Sequence, residues 1–300
     1  MHTVSLKSVD DNSPQSQRSA TPPFFRRVPI AMRTWLKSSF VRRCMMAYRH
    51  VGLSESDVLL ASYPKSGNTW LRHLLAYVST GEPTLWRGSL GKVSDVVGRH
   101  ASLPCIAKNS GRLIKTHEAY RTEYKRAVLL VRDPRDVVVS EYYFRRTYSA
   151  DFYRYNDDFV IFAKAFMAGK TGGYGNWATH VASWLDAADA SRCDVLIVPF
   201  EQFKANTVGE ARRIVDFIGL AADDTLLEAA VKDCGVESMK KKEEEYWAAQ
   251  GKENLGFIRG GKTGSWQQHF DSELESSFWE VMGPVAVRAG YERLQREQAG

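Results

Sequence analysis

Four short apolar runs punctuate the chain, and each ends where polar or basic residues gather. Residues 58–63, 112–115, 127–131 and 194–200 are too brief for helices and read as buried parallel strands. Helical spacing fills the intervals. It runs from Thr69 through Val78, with Trp70, Leu71, Leu74 and Leu75 on one face. It returns in the VVVSEYYFRR stretch after Pro134, over 159–167, over 176–188 with Trp177, Val181, Trp184 and Leu185 as the core face, and over 208–218, stopped by Gly219. Strands alternating with helices predict a three-layer α/β/α domain around a central parallel sheet. Residues 81–111 show no period and read as irregular, and the last thirty residues read as a docking helix.

The first run leads into the stretch on which the rest depends. After Pro64, the residues Lys65, Ser66, Gly67, Asn68 and Thr69 form a small-residue turn between a strand and a helix N-terminus. Orphaned backbone N–H groups and the positive end of a helix dipole meet there, which suits a phosphate. The Walker A pattern is absent, because Lys65 precedes the only glycine. A plain strand–turn–helix with a chance lysine is the alternative for this stretch alone.

The other strand ends add chemistry. The second run delivers Lys115, Thr116 and His117 at its carboxyl end, where open parallel sheets bind ligands. The third ends in Arg132, followed by Asp133 as an N-cap, Pro134 in the first turn and Asp136 as a first-turn acid. Arg132 and Ser140 converge on a second anion, or Arg132 pairs with a neighbouring aspartate. Residues 257–266, FIRGGKTGSW, form a flexible basic loop able to fold over an anion. The KKKEEE run at 240–245 reads as a solvated helix face without a functional role.

Charge and composition narrow the classes. Of the net +6, residues 1–54 carry +7, so the remaining body is near neutral and not suited to wrapping nucleic acid. Residues 1–23 read as a disordered tail. Residues 24–52 form a basic amphipathic segment, in which 24–51 hold seven basic residues and no acid. It either packs on the domain or makes weak peripheral contact with a membrane. The main domain is expected over 53–300. No run is long enough to span a bilayer and no signal peptide is evident, so a soluble cytoplasmic protein is expected. Cys44, Cys105, Cys193 and Cys234 lack metal or disulfide spacing and read as small core residues.

Three segments taken together, YPKSGNTW at 63–70, RDPRDVVVSEYYF at 132–144 and FIRGGKTGSW at 257–266, resemble the soluble sulfotransferases that use 3′-phosphoadenosine 5′-phosphosulfate (PAPS). The likeness spans residue 57 to the C-terminus. It implies the P-loop-like nucleotide-binding sulfotransferase fold, with PAPS as co-substrate and no metal. By resemblance, Lys65, Ser66, Gly67, Asn68 and Thr69 hold the 5′-phosphosulfate and Trp70 stacks on the adenine. Arg132 and Ser140 match the residues that hold the 3′-phosphate, and Arg259, Gly260 and Gly261 match the loop that closes over it. Lys115 and His117 match a Lys-Thr-His motif whose histidine is the general base, a role open to a neutral imidazole of ordinary pKa near 6.5.

The implied reaction is in-line sulfuryl transfer to a hydroxyl, less readily an amine, of a small-molecule, carbohydrate or lipid acceptor. Lys65 and Lys115 would stabilise charge in it. The chain departs from the family at Asn68, where threonine is usual, and at Gly260, where lysine is frequent, leaving one 3′-phosphate contact absent or supplied by Lys262. Phe200 replaces a frequent tyrosine near the adenine. The Lys-x3-Thr-Val dimer signature is missing, so dimerisation by that route is not expected. A nucleotide-dependent kinase and a non-catalytic nucleotide- or membrane-binding adaptor are the competing readings.

Overall fold

The computed structural model describes residues 44, 47–86, 90–106 and 111–292. The expected tail at 1–23 and most of the basic segment at 24–51 lie outside them. The chain divides into two compact units, 1–45 and 46–300, and every element below belongs to the second.

Five parallel strands form one sheet: β1 (Val58–Ser62), β2 (Ser94–Val96), β3 (Leu113–Thr116), β4 (Arg126–Val131) and β5 (Asp194–Pro199), in the order β2-β3-β1-β4-β5. Ten helices of α type complete the described unit: α1 (Asn68–Thr80), α2 (Leu90–Val93), α3 (Pro134–Tyr148), α4 (Phe159–Met167), α5 (Trp177–Asp189), α6 (Phe200–Ala205), α7 (Thr207–Ile218), α8 (Asp224–Asp233), α9 (Val236–Ala249) and α10 (Ser272–Arg288). Alternation along the strands sends side chains to two separate cores. Leu59, Ala61, Leu129 and Val131 pack with α3, α4, α5 and α10. Val58, Leu60, Val128 and Leu130 pack with α1, α7 and α8 on the other face. The layered α/β/α expectation holds.

Local signals explain the element ends. The Asp133 carboxylate caps α3 by accepting from the Arg135 N–H at 2.9 Å, with Pro134 at the first helical position. Asn176 caps α5, and Gly219 ends α7 in the left-handed region. At the amino ends of the strands, Asp57 grips Arg112 at 2.6 and 2.9 Å, pinning the starts of β1 and β3 together. Gly111 allows that approach, since a Cβ there would stand 1.8 Å from the Ser56 carbonyl oxygen.

Three sequence expectations need correction. Residues 81–111 are not wholly irregular, because Ser94–Val96 is an edge strand in register with β3. Three residues reading Ser-Asp-Val are too few and too polar to reveal a period. Of the four cysteines only Cys193 and Cys234 are buried, while Cys44 and Cys105 are exposed. The KKKEEE run is only partly a solvated face. Lys241 and Glu245 pair in solvent, but Lys242 bonds Asp233 at 2.5 Å and Glu243 is 1% exposed. Near the start of the unit, His50 Nε2 lies 2.7 Å from the Tyr124 hydroxyl and Arg49 donates to the Val97 carbonyl, so this end of the basic segment packs on the domain.

Candidate active site

The strand order reverses about β1, which runs between β3 and β4, and such a switch point opens a crevice at the carboxyl ends of the strands. Lys65 follows β1, His117 follows β3, Arg132 follows β4 and Phe200 follows β5. All four line one cavity of 840 Å³. Lys115, Gly67, Asn68, Thr69, Trp70, Ser140, Arg259 and Gly261 line it too. Ser66 and Gly260 are not among its lining residues. The Ser66 hydroxyl is buried without a hydrogen-bond partner.

The turn after β1 is held in an unusual backbone shape. Lys65 has φ 70° and Gly67 φ 96°, both left-handed, and a left-handed lysine stores strain of order 1–3 kcal/mol. Gly67 is also closely approached, since a Cβ would stand 2.7 Å from the Phe200 ring. Helix α1 begins at Asn68, leaving its first N–H groups without intrahelical partners beside the cavity. The Asn68 side chain turns inward, donating to the Leu60 carbonyl at 2.8 Å and the Ser62 hydroxyl at 3.2 Å. Its side-chain amide thus staples the helix to β1. Trp70 packs on Phe203, with ring centres 4.4 Å apart.

Lys65 Nζ lies between two aromatic rings, 4.0 Å from the centre of Phe144 and 4.6 Å from that of Phe257. Burial lowers its pKa to about 8, opposed by the Glu141 carboxylate and reinforced by Arg132 and Arg259. Lys115 is lowered to about 8 by the same desolvation, with Arg72 adding to it. Two ammonium groups thus face the cavity short of counter-charge.

His117 is fixed from behind. Its Nδ1 lies 2.7 Å from the Ser62 carbonyl oxygen. A carbonyl only accepts, so Nδ1 carries the proton and Nε2 keeps its lone pair. The Tyr174 ring meets the imidazole edge-on at 5.5 Å. The pKa is not the ordinary value expected from sequence. Burial, then the Lys115 charge, push it to about 3, so the ring is neutral throughout the physiological range.

On the far side, Arg132 does not pair with the neighbouring aspartates. Asp133 is taken by Arg135 at 2.8 Å. The Asp136 carboxylate accepts from Gly264 N–H, Ser265 Oγ and Trp266 N–H at 2.7, 2.8 and 3.1 Å. Arg132 instead donates to two carbonyls, those of Lys65 at 3.1 Å and Lys262 at 2.8 Å, and lies over Phe200, while its buried Nε has no partner. It thereby ties the turn to the basic loop. The loop is anchored at both ends by buried carboxylates, Asp136 at one and Glu243 at the other. Glu243 accepts from the Phe257 and Ile258 N–H groups at 2.8 and 3.0 Å. Lys204 donates to the Gly261 carbonyl at 2.9 Å, and Arg259 stacks on Tyr143.

Sequence reasoning missed Glu243, Glu141 and Tyr174. No period marks them, and Glu243 stands inside a charge run that reads from sequence as a solvated face. Asp136 was read for the helix dipole alone, although a first-turn acid preceding a glycine-rich loop in a family of anion binders could have been asked for a second role.

With that geometry set, residues 55–295 match the family model of the sulfotransferase domain. Among curated proteins the chain is 28% identical to sulfotransferase 2A6 of Rattus norvegicus over 248 residues, covering 76% of this chain and 84% of the relative. It is 25% identical to sulfotransferase 1E1 of Bos taurus, covering 74% and 80%. Among solved structures, mouse sulfotransferase SULT7A1 complexed with PAP superposes with a TM-score of 0.62 at 22% identity, covering 82% of this chain and 88% of that one. Retinol dehydratase in complex with androsterone and inactive cofactor PAP gives 0.61 at 19%, covering 84% and 88%. These structures share the fold.

Proposed function

The chain belongs to the sulfotransferase family, and from that premise we propose that it moves the sulfuryl group of PAPS to a hydroxyl of a small-molecule acceptor, with His117 as the base. The observation that carries this reading is the pairing of two cationic stations in one cavity. Lys65 and Lys115 form one at the ends of β1 and β3. Arg132 and Arg259 form the other, the first beyond β4 and the second on the basic loop. A ligand with anions at both its 5′ and 3′ positions uses both stations. A nucleoside triphosphate has no 3′ anion for the second.

The residues present fit the cofactor. The buried Arg132 Nε is unpartnered, and desolvated ammonium groups stand without adequate counter-charge. Phe200 and Trp70 offer aromatic surface beside the turn for a base. Lys65, Gly67, Asn68 and Thr69 would hold the 5′ end, the last three largely through backbone N–H groups. Arg132, Ser140, Arg259 and Gly261 would hold the 3′-phosphate. PAPS supplies an activated sulfuryl group on a phosphate leaving group.

The chain's own part is then positional and electrostatic. His117 Nε2, with its lone pair set by the Nδ1–H bond to Ser62, takes the acceptor proton. Lys65 and Lys115, both desolvated, stabilise charge that develops on oxygen. Incubating the protein with PAPS and phenols, sterols and sugars, and detecting sulfated product by mass, tests the reading. Product formed from PAPS with His117 intact is expected. Transfer from ATP, with PAPS inert, would overturn it.

A further inference from the structure

The acceptor end of the cavity holds an ion pair that sulfuryl transfer does not require. Glu141 and Arg145 lie one turn apart on α3, and both line the cavity. Arg145 donates from Nε to Glu141 Oε1 at 2.7 Å. The pair is layered. The Glu141 side chain is 6% exposed and Arg145 28%, so the carboxylate stands behind and the guanidinium in front. Among the described residues, the two terminal nitrogens of Arg145 have no hydrogen-bond partner. Nη2 lies beside the Gly172 backbone, 3.1 Å from where a Cβ would stand, so a side chain at 172 would crowd it.

The surroundings choose between an anionic and a cationic ligand. Seven basic side chains line the cavity against two acidic ones, and Asp136 is engaged by the basic loop. The Glu141 carboxylate is engaged by Arg145. A guanidinium fixed through Nε presents its two terminal nitrogens as a fork matched to a carboxylate, phosphate or sulfate. The same cavity is also lined by accessible apolar surface, with Tyr148, Tyr174 and Leu255 each more than one-third exposed. Tyr174 touches His117, and Gly172, two residues earlier, touches Arg145, so fork and base are joined by one short loop segment.

We propose that the acceptor is an aromatic or similarly flat apolar hydroxy acid, whose hydroxyl meets His117 while its anionic group is held by the free edge of Arg145. This rests on the sulfotransferase reading, so its test separates the two. The full chain is first titrated with adenosine 3′,5′-bisphosphate by calorimetry. The saturated protein is then titrated with 3-(4-hydroxyphenyl)propanoate, its primary amide and tyramine, a series differing in tail charge. The propanoate is expected to bind at least about tenfold more tightly than the amide, as a charge-assisted two-point contact predicts. Arg145→Gln should bring the two together and Arg145→Lys should restore part of the difference, with bisphosphate binding reporting that each variant is folded. Failure of wild-type protein to bind the bisphosphate would overturn the sulfotransferase reading and this inference with it. Bisphosphate binding with no preference for the propanoate, with no acceptor bound, or with tyramine bound most tightly would overturn this inference alone.

Discussion

The two ends of the cavity are built in different ways. On the proposed reading, the part that takes the 5′ group is a contiguous turn between β1 and α1, built of backbone groups, one lysine and a left-handed glycine closely approached by the Phe200 ring. The part assigned to the acceptor on that reading is gathered from Tyr63, the last turns of α3, the glycine-rich loop around Tyr174 and residues 255–257, and it presents side chains. A site made of main chain needs a fixed local sequence, whereas a site made of side chains needs only a scaffold.

The largest effect should come where the two ends meet. His117→Ala is expected to lower turnover by roughly 10² to 10⁴ while bisphosphate binding stays near that of the wild type. Steady-state rates and calorimetry on the same preparation check this. Near-normal turnover of an alcohol would move the base elsewhere, Glu118 being nearest in sequence.

Next is the anchoring of the basic loop. Glu243→Ala strips the acceptor from two N–H groups at the start of that loop and frees Phe257 from its place over Lys65. Losing hydrogen bonds to a buried charge should weaken bisphosphate binding by about tenfold to a hundredfold. Glu244→Ala, one residue on and exposed, should leave it unchanged. Equal affinities for the two variants would show that the loop does not depend on the clamp.

A smaller effect is expected from pH. In the folded protein Lys65 and Lys115 each titrate near 8, below the ordinary lysine value, because burial disfavours the ammonium. An anionic ligand favours the ammonium, so bisphosphate binding should take up protons near pH 8 and weaken several-fold as pH rises from 7.5 to 9. The ligand-free protein should move the other way. From about pH 8 to the unfolded lysine value the unfolded state binds more protons, so stability rises. Calorimetry in two buffers of different ionisation enthalpy measures the uptake, and a flat affinity with no uptake contradicts the cause assigned to these shifts.

The smallest effect concerns strain. Lys65 is left-handed and its charge is desolvated, so Lys65→Gly should make the ligand-free protein more stable by about 1 kcal/mol. A lower melting temperature in that variant would show that the aromatic contacts of Lys65 outweigh its strain.

What the sequence disclosed follows the same division. The runs that became β1, β3, β4 and β5 were legible because each is apolar and ends abruptly. The start of α3 was legible because Asp133 and Pro134 are local signals whose consequences stay local. β2 was not, since three residues carry no period. Glu243 was not, because its burial depends on α9 packing under a loop that begins fourteen residues later. The His117 pKa was not, because desolvation and Lys115 act through the fold. Arg145 reads as one more surface base until its helix is set against Gly172.

The central claim is that one cavity holds anions at two stations, and binding selectivity tests it most directly. Calorimetric titration without magnesium should show adenosine 3′,5′-bisphosphate binding at least about a hundredfold more tightly than AMP, ADP or ATP, since each contact to a charged group contributes roughly 1.5 to 3 kcal/mol. Arg132→Ala should remove most of that preference and leave AMP affinity little changed. Equal binding of AMP and the bisphosphate by folded wild-type protein would contradict the claim.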